Sequence, residues 1–175
     1  MTSFISSLIG GIVAGVISAG LFHVILKHSV PDIKISENIE KRTDSNGKIT
    51  YHIKVVNLKK RFVVNVKPYL YLEHEEGSVD GKKLRSKILT IYDKTVPFLY
   101  PLDEKDDYKK YATRVELTED LEKEWHNDNK YHLVVQLYGE DAFSGAGKMF
   151  TVNYYKMSTS IIEGEFKVGT STEIV

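Results

Sequence analysis

The chain has 175 residues, with 24 basic and 24 acidic side chains, no cysteine, and a length that suits one domain of ordinary size plus an appendage. The zero net charge excludes attraction of nucleic acid or anionic lipid by the whole surface, so such a partner would need a local patch. The absence of cysteine excludes disulfides, thiolate metal sites and cysteine nucleophiles.

The first segment is an apolar run without a charged residue from Phe4 to Leu26. As a helix this run would measure about 35 Å, enough to cross a hydrocarbon core of about 30 Å. We therefore predict a transmembrane helix within residues 1–30 and a separate domain over residues 31–175.

A cleaved signal peptide is the main alternative, because Ser18-Ala19-Gly20 fits a cleavage site between small residues. Against it, no lysine or arginine precedes the run, and the run stays apolar beyond that site. The basic residues that follow the run, beginning with Lys27, predict a plasma (inner) membrane protein with its N-terminus outside and its C-terminal domain in the cytoplasm. An exported β domain, lipid-tethered or cleaved, would need the opposite orientation.

Small side chains gather on one face of this helix, whereas isoleucine and valine occupy the other face. The sequence Gly11-xxx-Gly15-xxx-Ala19 matches the small-xxx-small pattern of packed membrane helices. We predict a homo-oligomer and, because each chain has one span, a pore built from several chains. The residues predicted to pack or to line that pore are Ser7, Gly10, Gly11, Ala14, Gly15, Ser18, Ala19 and His23. The alternative is that glycine is simply common in membrane helices.

After Pro31 the apolar pattern changes to the two-residue period of β-strands. Eight or nine short strands with polar turns predict an antiparallel β-sandwich, with a small barrel as the alternative. The predicted strands cover 32–36, 49–57, 62–73, 87–92, 96–102, 111–117, 131–139, 148–155 and 164–168.

Three local features refine this prediction. Asn46-Gly47 is typical of a hairpin turn, and Pro68 indicates an edge or a bulge within its strand. One short helix is predicted over 118–125, with Thr118 as its N-cap and with Glu119 and Asp120 in its first turn.

The sequence carries no nucleophile elbow, Walker loop, dinucleotide-binding glycine pattern or zinc-protease motif. We therefore predict no catalytic residue, metal site or cofactor, and the weak pair of His126 and Asp128 has no third ligand near it in sequence. Two basic clusters are candidate phosphate-binding sites, for inner-leaflet headgroups or for a nucleotide or oligonucleotide ligand. They consist of Lys59, Lys60 and Arg61, and of Lys82, Lys83, Arg85 and Lys87. The alternative is that both clusters are solvated loops.

Residues 131–155 read YHLVVQLYGEDAFSGAGKMFTVNYY, and IIEGEF follows at 161–166. This pattern resembles the end of the cytoplasmic immunoglobulin-like domain of inward-rectifier potassium channels, and the resemblance implies a sandwich of that type. The sequence has no TVGYG-like filter, so potassium selectivity is not implied.

The overall plan is similar to that of membrane effectors of bacterial anti-phage systems, in which a short membrane segment precedes a small cytoplasmic sensor domain. Among these, the Hailong-type channel effector, gated by a single-stranded DNA oligomer, is the nearest in outline. The resulting hypothesis is a homo-oligomeric, pore-forming membrane effector of bacterial defence whose sandwich senses a ligand. The alternative is a membrane-anchored interaction module that recruits a cytoplasmic protein partner.

Overall fold

The computed structural model describes residues 2–92, 94–118, 120–126 and 130–175, with the backbone alone for residues 2–9 and Lys27. Its first element is the helix α1 (Thr2–Ser29), whose 28 residues measure about 42 Å. Every residue from Gly10 to Ile25 is exposed. Within the described part of the chain, no helix combines the length and the hydropathy that a membrane span requires.

In the part of the chain that the structure describes, ten strands and two short helices follow α1, so the prediction of a mainly β fold is confirmed. In chain order they are β1 (Ile33–Ile35), β2 (Ile39–Thr43), β3 (Ile49–Asn57), β4 (Val63–Ser78), β5 (Gly81–Leu89), β6 (Val96–Leu99), β7 (Ala112–Glu116), α2 (Leu121–Glu124), β8 (Tyr131–Asp141), β9 (Gly147–Tyr154), α3 (Met157–Ser160) and β10 (Ile161–Glu163).

The strands form two five-stranded sheets. In the first sheet, β1 and β2 lie end to end along one edge of β3, β7 pairs with the other edge, and β10 runs parallel to β2. In the second sheet, β8 lies between β4 and β9, while β5 and β6 share the remaining edge of β4. Neighbouring strands are antiparallel except for the pair β2 and β10.

One hydrophobic core joins the two sheets, because the alternating apolar side chains of both sheets meet in a single cluster. Ile53 and Val55 enter it from β3, and Leu133 and Val135 enter it from β8. Trp125, directly after α2, is fully buried there and its indole N–H donates a hydrogen bond to the Tyr131 carbonyl at 3.0 Å.

Pro68 lies inside the central strand β4, at a point where its missing N–H leaves no neighbouring strand without a partner. β6 pairs with β4 as far as Val66, and β5 begins to pair at Leu70, so Pro68 lies in a gap between these two neighbours. A register shift between Val64 and Lys67 precedes it, as the predicted bulge requires. The predicted turn glycine Gly47 has a positive φ, and so has Gly145 in the β8–β9 loop.

Several predicted boundaries were wrong. β2 was missed because its sequence, Ile-Glu-Lys-Arg-Thr, carries one apolar residue and depends on pairing with β3. The final predicted strand is replaced by β10 and by a single bridge between Phe166 and Ile174. α2 begins after Asp120 rather than at Thr118, and the Asp120 side chain makes no capping hydrogen bond. Glu119, predicted for its first turn, lies outside the described residues.

A substitution at Gly164 tests how the C-terminal segment, residues 164–175, packs. Its φ is +148°, and a Cβ added there would lie 2.5 Å from the Val175 carbonyl oxygen, a backbone atom. We expect Gly164→Ala to lower the free energy of unfolding by about 1–3 kcal/mol. Gly77→Ala is the matched control, because nothing lies within 4 Å of its added Cβ. Urea unfolding followed by Trp125 fluorescence measures both, and equal stabilities would contradict the packing described here.

Candidate functional site

Buried Asn57 organises the end of the sandwich that adjoins α1. Its side-chain amide donates hydrogen bonds to the carbonyls of Arg61 and Tyr100 at 2.7 and 2.8 Å. Its side-chain oxygen accepts from the Lys59 N–H at 2.9 Å. These bonds connect the β3–β4 loop to the β6–β7 loop, so the basic cluster at 59–61 is held in a defined conformation.

Two residues of that cluster contact the C-terminal end of α1. The Lys59 ammonium group donates to the carbonyls of His28 and Val30 at 2.7 and 2.5 Å. The Arg61 guanidinium donates to the hydroxyl of buried Ser29 at 3.1 Å. The last carbonyls of a helix lack partners within the helix and carry partial negative charge, so cations are favourable there. Lys59 and Arg61 therefore attach the helix to the sandwich.

The β8–β9 loop completes this end of the molecule. Buried Asp141 accepts hydrogen bonds from the backbone N–H groups of Phe143 and Ser144, at 3.1 and 2.8 Å, and so fixes the loop. The Arg61 guanidinium lies 5.5 Å from the centre of the Phe143 ring. An open cleft of about 460 Å³ is lined by Lys60, Arg61, Phe62, Pro101, Ala142 and Phe143.

The second basic cluster lies on the hairpin formed by β4 and β5, where its cations face carboxylates. Lys82 pairs with Glu75 at 2.5 Å, and Arg85 pairs with Glu76 at 2.8 Å. Lys87 contacts Glu124 of α2. Because β4 starts beside the α1 end and runs for 16 residues, the hairpin tip lies about 50 Å farther along the strand. The two predicted clusters therefore do not form one site.

A polar network lies on the outer face of the first sheet, beneath the C-terminal segment. Fully buried Glu40 accepts a hydrogen bond from the Phe166 N–H at 3.1 Å and pairs with the guanidinium groups of Arg42 and Arg114, each at 3.3 Å. His52 Nδ1 lies 3.9 Å from Glu40 Oε1, the carboxylate oxygen that faces Arg42. Neither Glu40 Oε1 nor His52 Nδ1 has a hydrogen-bond partner. Such a buried carboxylate depends on nearby cations to offset its desolvation.

Lys54 extends this network into a second cleft, of about 340 Å³, on the same face. Its buried ammonium group donates to the carbonyls of Lys167 and Ser171 at 2.5 and 2.7 Å. Burial is the main cause that lowers the pKa of Lys54, and the nearby Arg114 charge adds to it. This lysine therefore holds the C-terminal segment onto the sheet.

Sequence reasoning missed Asn57, Asp141 and Glu40, because each acts through partners far away in the sequence. The small-residue positions from Gly10 to Ala19 and His23 all lie on exposed α1, and the side chain of Ser7 lies outside the described part. Among the described residues, no three histidine, aspartate or glutamate side chains gather as a metal site. His126 lies two residues after the end of α2, and its predicted partner Asp128 is not among the described residues.

No protein-family model matches this chain, and no curated protein matches it. The likenesses to inward-rectifier channels and to anti-phage effectors therefore stay predictions.

The Lys59 attachment is testable by hydrogen exchange. In Lys59→Met the aliphatic stem remains but the carbonyls of His28 and Val30 lose their charged donor, so the last turn of α1 opens more often. We expect a loss of about 0.5–2 kcal/mol in local opening free energy, measured as faster amide exchange at residues 26–33. Lys156→Met, at an exposed lysine distant from α1, is the control. Unchanged exchange in Lys59→Met would show that the attachment does not hold the helix.

His52 predicts a pH dependence of stability. Burial is the main cause that lowers its pKa, partly opposed by Glu40 and Glu116, while Arg42 and Arg114 lower it further. Below the unfolded-state value of about 6.5, the unfolded chain binds more protons at this site than the folded chain, so acidification destabilises the fold.

When the pH is lowered from about 7 to about 5, we expect the free energy of unfolding to fall less in His52→Gln than in the unmodified chain. The free energy of unfolding at several pH values is the measurement, and His126→Gln, at an exposed histidine, serves as the control. Identical pH profiles for His52→Gln and the unmodified chain would contradict the described environment of His52.

Proposed function

We propose that the protein is a single-span membrane protein that assembles into a pore-forming homo-oligomer, with a cytoplasmic sandwich that senses a ligand. The observation that carries this proposal is α1 itself. Its isoleucine, valine, leucine and phenylalanine side chains between Ile12 and Ile25 are more than half exposed. Covering eight such side chains is worth on the order of 10 kcal/mol or more, so the helix needs an apolar environment.

A membrane is the apolar environment that we propose for α1. No aspartate, glutamate, lysine or arginine occurs before Lys27, and the 28-residue backbone helix exceeds the thickness of a hydrocarbon core. A helix on the surface of a soluble protein would have one polar face, whereas the apolar residues of α1 occur all around it.

The fold strengthens the argument for an N-terminus outside. In sequence, few basic residues directly follow the helix, but the β3–β4 loop brings Lys59, Lys60 and Arg61 to the same end. Basic residues near the end of a span favour the cytoplasmic side. A cytoplasmic sandwich is therefore the orientation that we propose.

Self-association is supported by the glycines of α1. Among the described residues, no atom beyond the neighbouring helix backbone lies within 4 Å of a Cβ built at Gly10, Gly11, Gly15 or Gly20, so no described contact within one chain explains these glycines. Glycine is also a poor helix former, by about 1 kcal/mol relative to alanine. Close approach of several helices explains Gly11 and Gly15, and Ser18 and His23 would then be available to line a pore.

We propose bacterial defence as the setting on the strength of the similar plan of anti-phage membrane effectors, with an immunoglobulin-like sandwich as the sensor. A nucleotide or oligonucleotide is the ligand class that the basic clusters would suit. Opening of the pore requires that the ligand bind the open and closed states with different affinity.

The second candidate function is a membrane anchor joined to an interaction module. The outer face of the second sheet favours it, because Tyr69, Ile88, Met149 and Tyr155 are all exposed there. A cytoplasmic protein partner would bind such a face, and α1 would then serve only as an anchor.

Glycine substitutions separate the two functions. Gly11→Leu and Gly15→Leu add bulk on the small-residue face, whereas Gly20→Leu adds the same bulk about 160° away on the helix. A Cβ added at any of these three positions meets no described atom within 4 Å beyond the neighbouring helix backbone, and leucine is a better helix former than glycine, so we expect the helix to be retained. We expect Gly11→Leu and Gly15→Leu to lose the oligomer and at least tenfold of the ion flux from liposomes, while Gly20→Leu retains both.

Crosslinking in a bilayer measures the oligomer, and dye or ion release measures the flux. If all three variants behave like the unmodified chain, α1 is an anchor and the assembly is wrong. If the unmodified chain conducts no ions, alone or with nucleotides and DNA oligomers added, the pore is wrong even if the oligomer forms.

A further inference from the structure

Exposed aromatic side chains gather at the end of the sandwich that adjoins α1. Phe62, Phe98 and Tyr100 contact one another, with ring centres 5.1 to 6.4 Å apart. Phe143 is 84% exposed and lies beside Arg61. Monomeric proteins seldom leave this much aromatic surface in one place without a partner. We name the set Phe62, Phe98, Tyr100, Phe143, Lys60 and Arg61 the aromatic collar.

Hydrogen bonds locate the collar at the α1 end. The Ala142 N–H donates to the Phe62 carbonyl at 3.0 Å, and the Leu102 N–H donates to the Lys59 carbonyl at 2.8 Å. Lys59 in turn contacts the last carbonyls of α1. The three loops that carry the collar are therefore joined to one another and to the helix.

We infer that the aromatic collar rests on the membrane surface and that its cations bind the phosphates of anionic lipid headgroups. The inference rests on the proposed membrane span. Three residues separate Ser29, the last residue of α1, from Ile33, the first of β1, so the start of β1 stays within about 14 Å of the helix end. Aromatic rings with adjacent lysine and arginine are the side chains that favour the headgroup region.

The charge distribution limits where the contact occurs. The β6–β7 loop at this end carries Asp103, Glu104, Asp106 and Asp107, which anionic lipids repel. Asp103 and Asp106 accept hydrogen bonds from backbone N–H groups of their own loop. The phosphate contact therefore belongs to the side of Lys60, Arg61 and Phe143, where the open cleft lies.

The absence of cysteine in the chain allows a clean test by single labels. Ala142→Cys places a fluorophore on the collar and leaves Phe143 and Arg61 intact. Val79→Cys places the same fluorophore at the fully exposed tip of the β4–β5 hairpin. With the full chain in vesicles that contain nitroxide-labelled lipids, we expect at least threefold stronger quenching at position 142 than at position 79.

Second substitutions in the Ala142→Cys background identify the contacts. We expect Phe143→Ser to halve the quenching in both neutral and anionic vesicles, and Lys60→Glu to halve it in anionic vesicles only. The matched controls are Tyr155→Ser and Lys156→Glu, which change an exposed aromatic and an exposed lysine at the other end of β9. Both controls should leave the quenching unchanged.

The outcomes separate this inference from the proposed span. Equal quenching at positions 142 and 79, in protein that resists extraction by alkaline carbonate, overturns the collar and leaves the span standing. Extraction by carbonate overturns the span, and the collar falls with it. Stronger quenching at position 142 that is insensitive to Phe143→Ser and Lys60→Glu also overturns the collar contacts.

Discussion

The side chains of α1 are exposed from Gly10 to Ile25, so the helix needs a cover that the sandwich does not supply. The hydrophobic core of the sandwich contains no residue of α1. The fold of the sandwich and the location of the helix are therefore separate problems in physical chemistry. Burial of apolar side chains drives the strands together, whereas the exposed apolar side chains of α1 take no part in that core.

The two parts meet through a short connection and a few polar contacts. Lys59 and Arg61 bind the helix end, and Asn57 binds the loop that carries them. Because Asn57 also binds the Tyr100 carbonyl, the helix end and the β6–β7 loop share one hydrogen-bond network. A change of conformation in these loops would alter the contacts of the helix, which the sensor role proposed above would require.

The two basic clusters have similar sequences but different surroundings in the fold. Lys59 binds the carbonyls at the helix end, and Arg61 binds a serine hydroxyl and lies 3.8 Å from the Asp141 carboxylate. Lys82, Arg85 and Lys87 each pair with a glutamate. The first cluster contributes to the architecture, and the pairing in the second reduces its attraction for an anion. Lys60, beside the exposed aromatic rings, is the member of the first cluster best placed for a headgroup phosphate.

The sequence by itself determined the helix at the N-terminus, the mainly β character of the remainder, and β3, whose bounds match the prediction. These features depend on local periodicity, which a sequence displays directly. Only the tertiary structure decided β2, the buried Glu40 with Arg114 and Phe166, and the placement of Lys59 against the end of α1. Each of these depends on contacts between residues far apart in the chain, and no local pattern encodes which distant residue will supply the partner. For the same reason, the sequence did not show how far apart the two basic clusters lie. Residues 59–61 directly precede β4, whereas residues 82–87 pair with its far half.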